Sequence, residues 1–456
     1  MNMVKALGLD RAIAYTFLAR AMGIVGSAGT VLLIAQRLSP VEQGFYYTLL
    51  SLVSLQLVFE LGFSFVLQQM AAHECVHLTL DGEGRVSGQV DAQARLASIL
   101  KLTVRWYSAA AFLMAIVLTP AGFFFFHANA MNSSVHWQLP WVLSSIASSI
   151  GLLATPFYSF LEGCGEVRAV AAMRFRQSVA AAAMAWSALL LHHGLYAPAL
   201  VIVGQTTAGM WFVFTHRRLL KGLLQFEVEK RGVDWMREVW PFQWRIAVSW
   251  LCTYFSAQVF IPILFAARGA VEAGQMGMSL SVTGYMIVLA LAWSSTKATP
   301  FGQMIARREF KLLDELFRRT LAQSMFVYIS LSAVVLGVVA LLAAYFPALA
   351  GRMLPLQGFI FLVAAAGANT AVQNLATLLR SFKREPFLAQ SLAVAVCTIG
   401  LALLTTRNWG AVGAEWSYLI AAAGIALPSA LRIYLRACRS YLSQEPLRFV
   451  PQRNAA

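Results

Sequence analysis

Four ionisable side chains stand inside runs of residues that are otherwise apolar: Arg20, Glu60, Arg245 and Lys297. A charge at the centre of a membrane helix costs about 2.5–3.5 kcal/mol on insertion scales, so each of these demands a partner, a water-filled cavity or a ligand. Arg20 and Glu60 flank the polar turn "RLSPVEQG", one before Pro40 and one after it at equal spacing. With a helical rise of about 1.5 Å per residue, an antiparallel hairpin puts the two at one depth, close enough to pair or to share a cavity. A guanidinium offers a planar fork of donors that matches phosphate oxygens, and a neighbouring carboxylate competes for it. The chemistry this permits is capture of a phosphorylated ligand by Arg20, biased by Glu60. The alternative is a buried pair that serves packing alone. Arg245 in "PFQWRIAVSW" and Lys297 in "SSTKATPF" lie near the ends of their runs. With Arg20 they would line an electropositive vestibule for a diphosphate, or they snorkel toward lipid headgroups. Glu415, near the outer end of the last run, is a further candidate.

Catalytic and metal chemistry find no support. The histidines are scattered and no HExxH motif occurs. No GxxxxGK[ST] loop occurs, so the chain holds no nucleotide-driven motor of that type. The five cysteines form no CxxC pair and read as small apolar helix residues.

The elements that must position these side chains are membrane helices. The chain has 456 residues, of which 59% are hydrophobic and only 12% charged, against about 25% charged in ordinary soluble domains. Runs of roughly 20 apolar residues, enough to cross a bilayer, recur along the whole length. They lie near 12–36, 44–70, 101–126, 138–160, 177–193, 197–216, 243–266, 274–299, 320–346, 356–380, 386–405 and 411–435. This predicts an all-α, polytopic membrane protein of about twelve transmembrane helices. Of the 35 Lys and Arg, only Arg37, Arg268, Arg352 and Arg407 fall on loops of one side. Because basic residues accumulate on cytoplasmic loops, both termini are expected in the cytoplasm. The same asymmetry explains the net charge of +15 without nucleic acid.

The expected division is residues 1–216 as one lobe of six spans, 217–242 as a cytoplasmic linker, 243–435 as the second lobe, and 436–456 as a basic cytoplasmic tail. The linker reads as an interfacial helix from Lys221 onward. Trp235, Trp240, Trp244 and Trp250 read as a headgroup-level belt. Gly23, Gly26 and Gly29 in "GIVGSAG" read as a small-residue packing face. Glu162 and Glu166 read as solvated.

An internal echo supports the lobes. "VEQGFYYTLLSL" from Val41 is repeated as "VEAGQMGMSLSV" from Val271, each shortly after an Arg. "LEGCGEVRAV" and "LRSFKREPFL" then follow in matching order. Six spans per half give both halves one orientation, so the repeats are parallel, and transporters so built place substrate between the halves and rock them.

With "RLSPVEQGFYYTLLSLVSLQLVFELGF", its "AVEAGQMGMSLSV" echo and "KATPFGQMIARREFKLLDELFRR" in place, the chain resembles the polysaccharide-transporter branch of the multidrug/oligosaccharidyl-lipid/polysaccharide (MOP) exporter superfamily, whose members include the Wzx-type O-antigen flippases. The resemblance spans nearly the whole chain through diffuse motifs. It implies two pseudo-symmetric six-helix lobes around a central cavity, in a multi-pass protein of the bacterial inner membrane. It implies movement of undecaprenyl-diphosphate-linked oligosaccharide between leaflets, with Arg20, Arg245 and Lys297 as candidate diphosphate ligands and Glu60 as a coupling or structural partner. No cofactor is implied beyond Na⁺ or H⁺ coupling. The partners are membrane lipid, the lipid-linked saccharide and polysaccharide assembly proteins, with the chain working as a monomer. An ion-coupled drug or metabolite exporter of the same superfamily is the alternative. A membrane polysaccharide polymerase or ligase would need a large outer loop, which the chain lacks.

Overall fold

The computed structural model describes residues 11–75, 78–80, 86–130, 133–226, 233–382 and 386–442. Among these, one two-stranded hairpin, Leu78–Leu80 (β1) paired antiparallel with Val86–Gly88 (β2), interrupts an otherwise helical chain. The fold is therefore all-α and built of long apolar helices, as the hydropathy pattern requires. Two compact units form. One holds the described residues up to Leu251 together with Gly269–Gly274; the other holds Cys252–Arg268 and the residues from Gln275 on.

The first unit begins with α1 (Arg11–Arg37), α2 (Pro40–Val53), α3 (Gln56–Glu60) and α4 (Phe63–Cys75). After the hairpin come α5 (Val90–Asn129), α6 (Gln138–Gly163), α7 (Val167–Leu190), α8 (Ala197–Thr215), α9 (Arg217–Gln225) and α10 (Trp240–Gln258), which runs on past Leu251. A single π-helical turn, Trp235–Val239, leads into α10.

Sequence neighbours are not always packing partners. The main neighbour of α1 is α7, while α4 packs on α6 and α5. The glycines of α1 explain this choice. A Cβ on Gly26 would fall 3.0 Å from the Cβ of Ala182, and one on Gly29 would fall 2.6 Å from the Trp186 ring. Small residues let the two backbones approach, which is how helices associate in lipid. The Trp186 indole N–H then donates to Thr30 Oγ1 at 3.1 Å.

The turn before α2 is closed by a capping box. Ser39 Oγ accepts from the Glu42 backbone N–H at 3.2 Å, and the Glu42 carboxylate accepts from the Ser39 N–H at 2.8 Å. Pro40 at the first helical position needs no such partner. Gly44 leaves no room for a side chain: a Cβ there would collide with the carbonyl of Ala270. Gln43 Nε2 donates to the Gly274 carbonyl at 3.0 Å. The two echoed segments, "VEQG" and "VEAG", thus meet each other inside the first unit.

The second unit contains α11 (Phe260–Arg268), α12 (Ala270–Ala306, from Gln275 on), α13 (Phe310–Tyr345), the short α14 (Pro347–Ala350), α15 (Leu356–Arg380), α16 (Leu388–Leu419) and α17 (Leu427–Leu442). The chain reverses within α16 at Gly410, whose φ of 61° is readily adopted only by glycine. Thr405 Oγ1 then donates back to the Gly413 carbonyl at 2.8 Å. A π-helical segment, Ile420–Ala426, joins α16 to α17. A buried polar cluster ties this unit together: Asn374 Nδ2 donates to Ser324 Oγ at 3.0 Å and to the Thr370 carbonyl at 2.8 Å, and Ser294 donates to the Asn374 amide oxygen.

Seven helical stretches among the described residues are long and apolar enough to cross a membrane. The difference from twelve has local causes. Leu388–Arg439 counts once but contains two spans around Gly410. The second span is cut at Leu61–Gly62 and the seventh at Val259. The fifth, α7, carries Arg168, Arg174 and Arg176, and the described apolar part of α1 begins only at Met22. Large apolar side chains such as Phe112, Phe124, Phe326 and Leu404 point outward, each about 70% exposed, as a lipid-facing surface requires.

At the Arg-rich ends, α9 buries Leu219, Leu220 and Leu223 and exposes Arg217, Arg218 and Lys221. The helix is amphipathic and begins before Lys221, where the linker helix was expected to start. Residues 227–232 of that linker lie outside the described residues.

Candidate functional site

The most unusual backbone in the first unit lies beside Glu60. Leu61 and Gly62 adopt φ of 53° and 64° in succession. Left-handed backbone costs an L-residue about 1–2 kcal/mol, so Leu61 is held there by its surroundings. Its N–H still bonds the Leu57 carbonyl at 3.1 Å, ending α3. Its own carbonyl, freed by the break, accepts from Gln243 Nε2 at 2.7 Å. Gly62 has no side chain because α10 passes against it: a Cβ would fall 2.9 Å from Ile246 Cγ2 and 3.3 Å from the Trp250 ring. Gln243, Ile246 and Trp250, spaced by three and four residues along α10, thus share the face that meets the break.

Glu60 is only 8% exposed. Its carboxylate accepts from Ser64 Oγ, one turn on in α4, and from the Tyr107 hydroxyl of α5 at 3.4 Å. An aromatic cluster extends from Tyr107. Phe63 stacks on Tyr107 with ring centroids 5.9 Å apart and meets Trp235 edge-on at 5.0 Å. Trp106 stacks on Trp235 at 5.6 Å. Trp235, expected in a headgroup belt, packs on Phe63 and Trp106 in this cluster. Two buried polar atoms here have no partner among the described residues: Gln243 Oε1 and Trp106 Nε1. Buried polar atoms without a partner are uncommon in native interiors; one of these is on the side chain that bonds the Leu61 carbonyl and the other on the ring stacked on Trp235.

The other sequence candidates are placed as follows. Arg20 falls within α1, but its side chain lies outside the described residues, so its pairing with Glu60 stays a proposal. Arg245 of α10 is half-buried, off the face that carries Gln243 and Ile246, with its guanidinium carbon 5.6 Å from the Trp244 ring centroid. No carboxylate pairs with it among the described residues. Lys297 of α12 is half-buried in the second unit, also with no ion pair among the described residues. Glu415 is 2% exposed, and its carboxylate lies against Gly358 of α15, where any Cβ would strike it. It has no hydrogen-bond partner among the described residues.

Sequence reading missed Ser64, Tyr107, Gln243 and the Trp106–Trp235 stack. A weak signal was present: "FELGF" sets a glycine directly after Glu60–Leu61 inside an apolar run, where a glycine marks a break or a close approach. Glu162, expected to be solvated, instead pairs with Arg174 at 2.6 Å.

The fold resembles that of solved transporters of the MOP superfamily. Among solved structures that share it, the MATE multidrug transporter DinF-BH aligns with a TM-score of 0.58 and 13% identity over 95% of this chain and 96% of that one. The lipid II flippase MurJ in an inward closed conformation aligns with a TM-score of 0.56 and 12% identity over 95% and 90%. A MOP superfamily transporter from Pyrococcus furiosus, described as having a binding pocket of reversed polarity, aligns with a TM-score of 0.55 and 10% identity over 95% of both. No protein-family model and no curated protein sequence matches the chain.

Proposed function

We propose that the chain is a secondary transporter that flips an undecaprenyl-diphosphate-linked oligosaccharide, such as an O-antigen unit, from the inner to the outer leaflet of a bacterial inner membrane by alternating access. In this reading residues 1–216 and 243–435 are the two moving lobes, both termini are cytoplasmic, and the chain acts as a monomer beside polysaccharide assembly proteins. The fold is shared by a lipid II flippase and by multidrug transporters alike, so the substrate class is argued from the cations. The observation that carries the reading is the pair of half-buried cations, Arg245 and Lys297, neither of which has a carboxylate partner among the described residues. A cation held partly out of water without a counter-charge is suited to an anionic ligand, and a diphosphate supplies one. Arg20 is the third proposed ligand. Glu60 is the proposed coupling group, for H⁺ or Na⁺.

The test is flipping of a lipid-diphosphate saccharide in proteoliposomes. A charge-assisted hydrogen bond contributes about 1.5–3 kcal/mol, so Arg245→Ala, Lys297→Ala and Arg20→Ala should each weaken substrate binding about ten- to a hundredfold in protein that elutes as wild type. Undiminished flipping in all three would sink the diphosphate assignment.

A second reading, an ion-coupled exporter of lipophilic cations, is favoured by the buried Glu60 beside the aromatic cluster that begins at Tyr107. A buried carboxylate with π-faces nearby suits a cationic ring system. In that case Glu60→Gln abolishes efflux of a cationic dye from proteoliposomes, and the three cation substitutions leave that efflux intact.

A further inference from the structure

Cys75 and Cys164 stand 89 residues apart in sequence, yet their Sγ atoms are 2.7 Å apart. Cys75 ends α4 and Cys164 caps α6. The approach is imposed by backbone packing and does not depend on the thiols. A Cβ on Gly163 would fall 2.8 Å from the Ala71 Cβ and 3.2 Å from the Ala72 N. The α4 stripe that faces Gly163 runs through Gln68, Ala71 and Ala72, and its next turn is Cys75. Leu67 and Ala71 of α4 and Phe160 and Leu161 of α6 are buried in one apolar core beneath. On the far side, the turn after Cys164 is fixed by the Glu166 N–H bonding the Leu161 carbonyl at 2.9 Å and by the Glu162–Arg174 pair.

Both residues are half-buried, neither of them sealed in the core. The charged groups nearby are Glu74, engaged by Arg95 at 2.9 Å, and Glu166. The hydrogen bond shared with Cys164 draws the Cys75 thiol below the usual thiol range, against burial and the Glu74 charge, and the thiolate is the reacting form of cysteine.

We propose that Cys75 and Cys164 are a redox pair that closes into a disulfide on exposure to a hydroperoxide, stapling the end of α4 to the α6–α7 turn. In the first step the Cys75 thiolate attacks one peroxide oxygen. The O–O bond breaks, hydroxide leaves, and Cys75 becomes a sulfenic acid. In the second step Cys164 gives up its proton and attacks the Cys75 sulfur, forming the S–S bond and expelling the sulfenic oxygen as water. Two thiols lose two electrons, and one peroxide becomes two waters. The staple has a mechanical consequence. The half-helix α4 starts at the Leu61–Gly62 break and ends at Cys75, so the disulfide fixes its far end against α6. Any swing of α4 about the break is then prevented until a reductant reopens the bond.

The experiment treats the purified full-length protein with hydrogen peroxide, denatures it, and labels free thiols with a mass-tagging maleimide. Wild type should lose two of its five labels, regain both after dithiothreitol, and yield one linked peptide joining Cys75 to Cys164. The variants C75S and C164S should lose no label pair. Five labels retained after peroxide, a loss that dithiothreitol does not reverse, or a linked peptide involving Cys252, Cys397 or Cys438 each overturns the proposal. The wild-type labelling and peptide results decide it even where a serine variant does not fold.

Discussion

Gly62→Ala tests the broken helix most directly. Two independent costs meet at this position. The backbone φ of 64° penalises any Cβ by about 1–2 kcal/mol. The added methyl would also fall 2.9 Å from Ile246 Cγ2, with the Trp250 ring behind it at 3.3 Å, and overpacking of this kind costs about 1–3 kcal/mol. The sum is about 2–5 kcal/mol. At about 2 °C per kcal/mol for a large domain, the thermal midpoint in detergent should fall by at least about 4 °C, followed by tryptophan fluorescence. Gly222→Ala is the matched control. Gly222 lies inside α9 with open space where its Cβ would go, so alanine should be neutral or stabilise by up to about 1 kcal/mol. The same substitution should therefore destabilise at Gly62 and not at Gly222. A Gly62→Ala protein as stable as wild type would refute both the left-handed break and the close passage of α10.

Three further outcomes follow from the same geometry. Gly44→Val forces a side chain into the Ala270 carbonyl and should cost at least about 1–3 kcal/mol, read as reduced yield of monodisperse protein; wild-type yield and melting would argue against contact between the echoed segments. Gln243→Leu leaves the Leu61 carbonyl without its donor, a loss of about 1–3 kcal/mol, and should raise hydrogen exchange locally at residues 61–64. The pair between Arg95 and Glu238, 2.6 Å apart, holds the Glu238 carboxyl below the usual glutamate range, chiefly through the hydrogen bond from Arg95. Because the folded value is depressed, the stabilisation is present at neutral pH and is lost as pH falls through the ordinary glutamate range toward the folded value. Its size is small, below about 1 kcal/mol for so exposed a pair, and Glu238→Gln should remove that part of the pH dependence of the melting temperature.

The sequence by itself determined the class of this protein. Long apolar runs and few charges leave a polytopic helical membrane protein as the solution, because only helices or closed barrels satisfy the backbone in lipid. The polar turn at "RLSPVEQG" was legible as a break between two helices, while the capping box that closes it was shown by the structure. The repeat was visible as "VEQG" and "VEAG", but its meaning was not: only the tertiary structure set Gly44 against Ala270. The same division runs through the site. Glu60 stood out because a carboxylate in an apolar run is costly wherever it points. Its partners did not stand out, because Tyr107 and Gln243 are ordinary residues that become specific only when α5 and α10 bring them to one break in the backbone. Cys75 and Cys164 read as unrelated small residues until the packing of α4 on α6 at Gly163 set their sulfurs side by side. Local composition fixes what a segment is; which segments touch depends on small residues permitting close approach, and that is a property of two surfaces together.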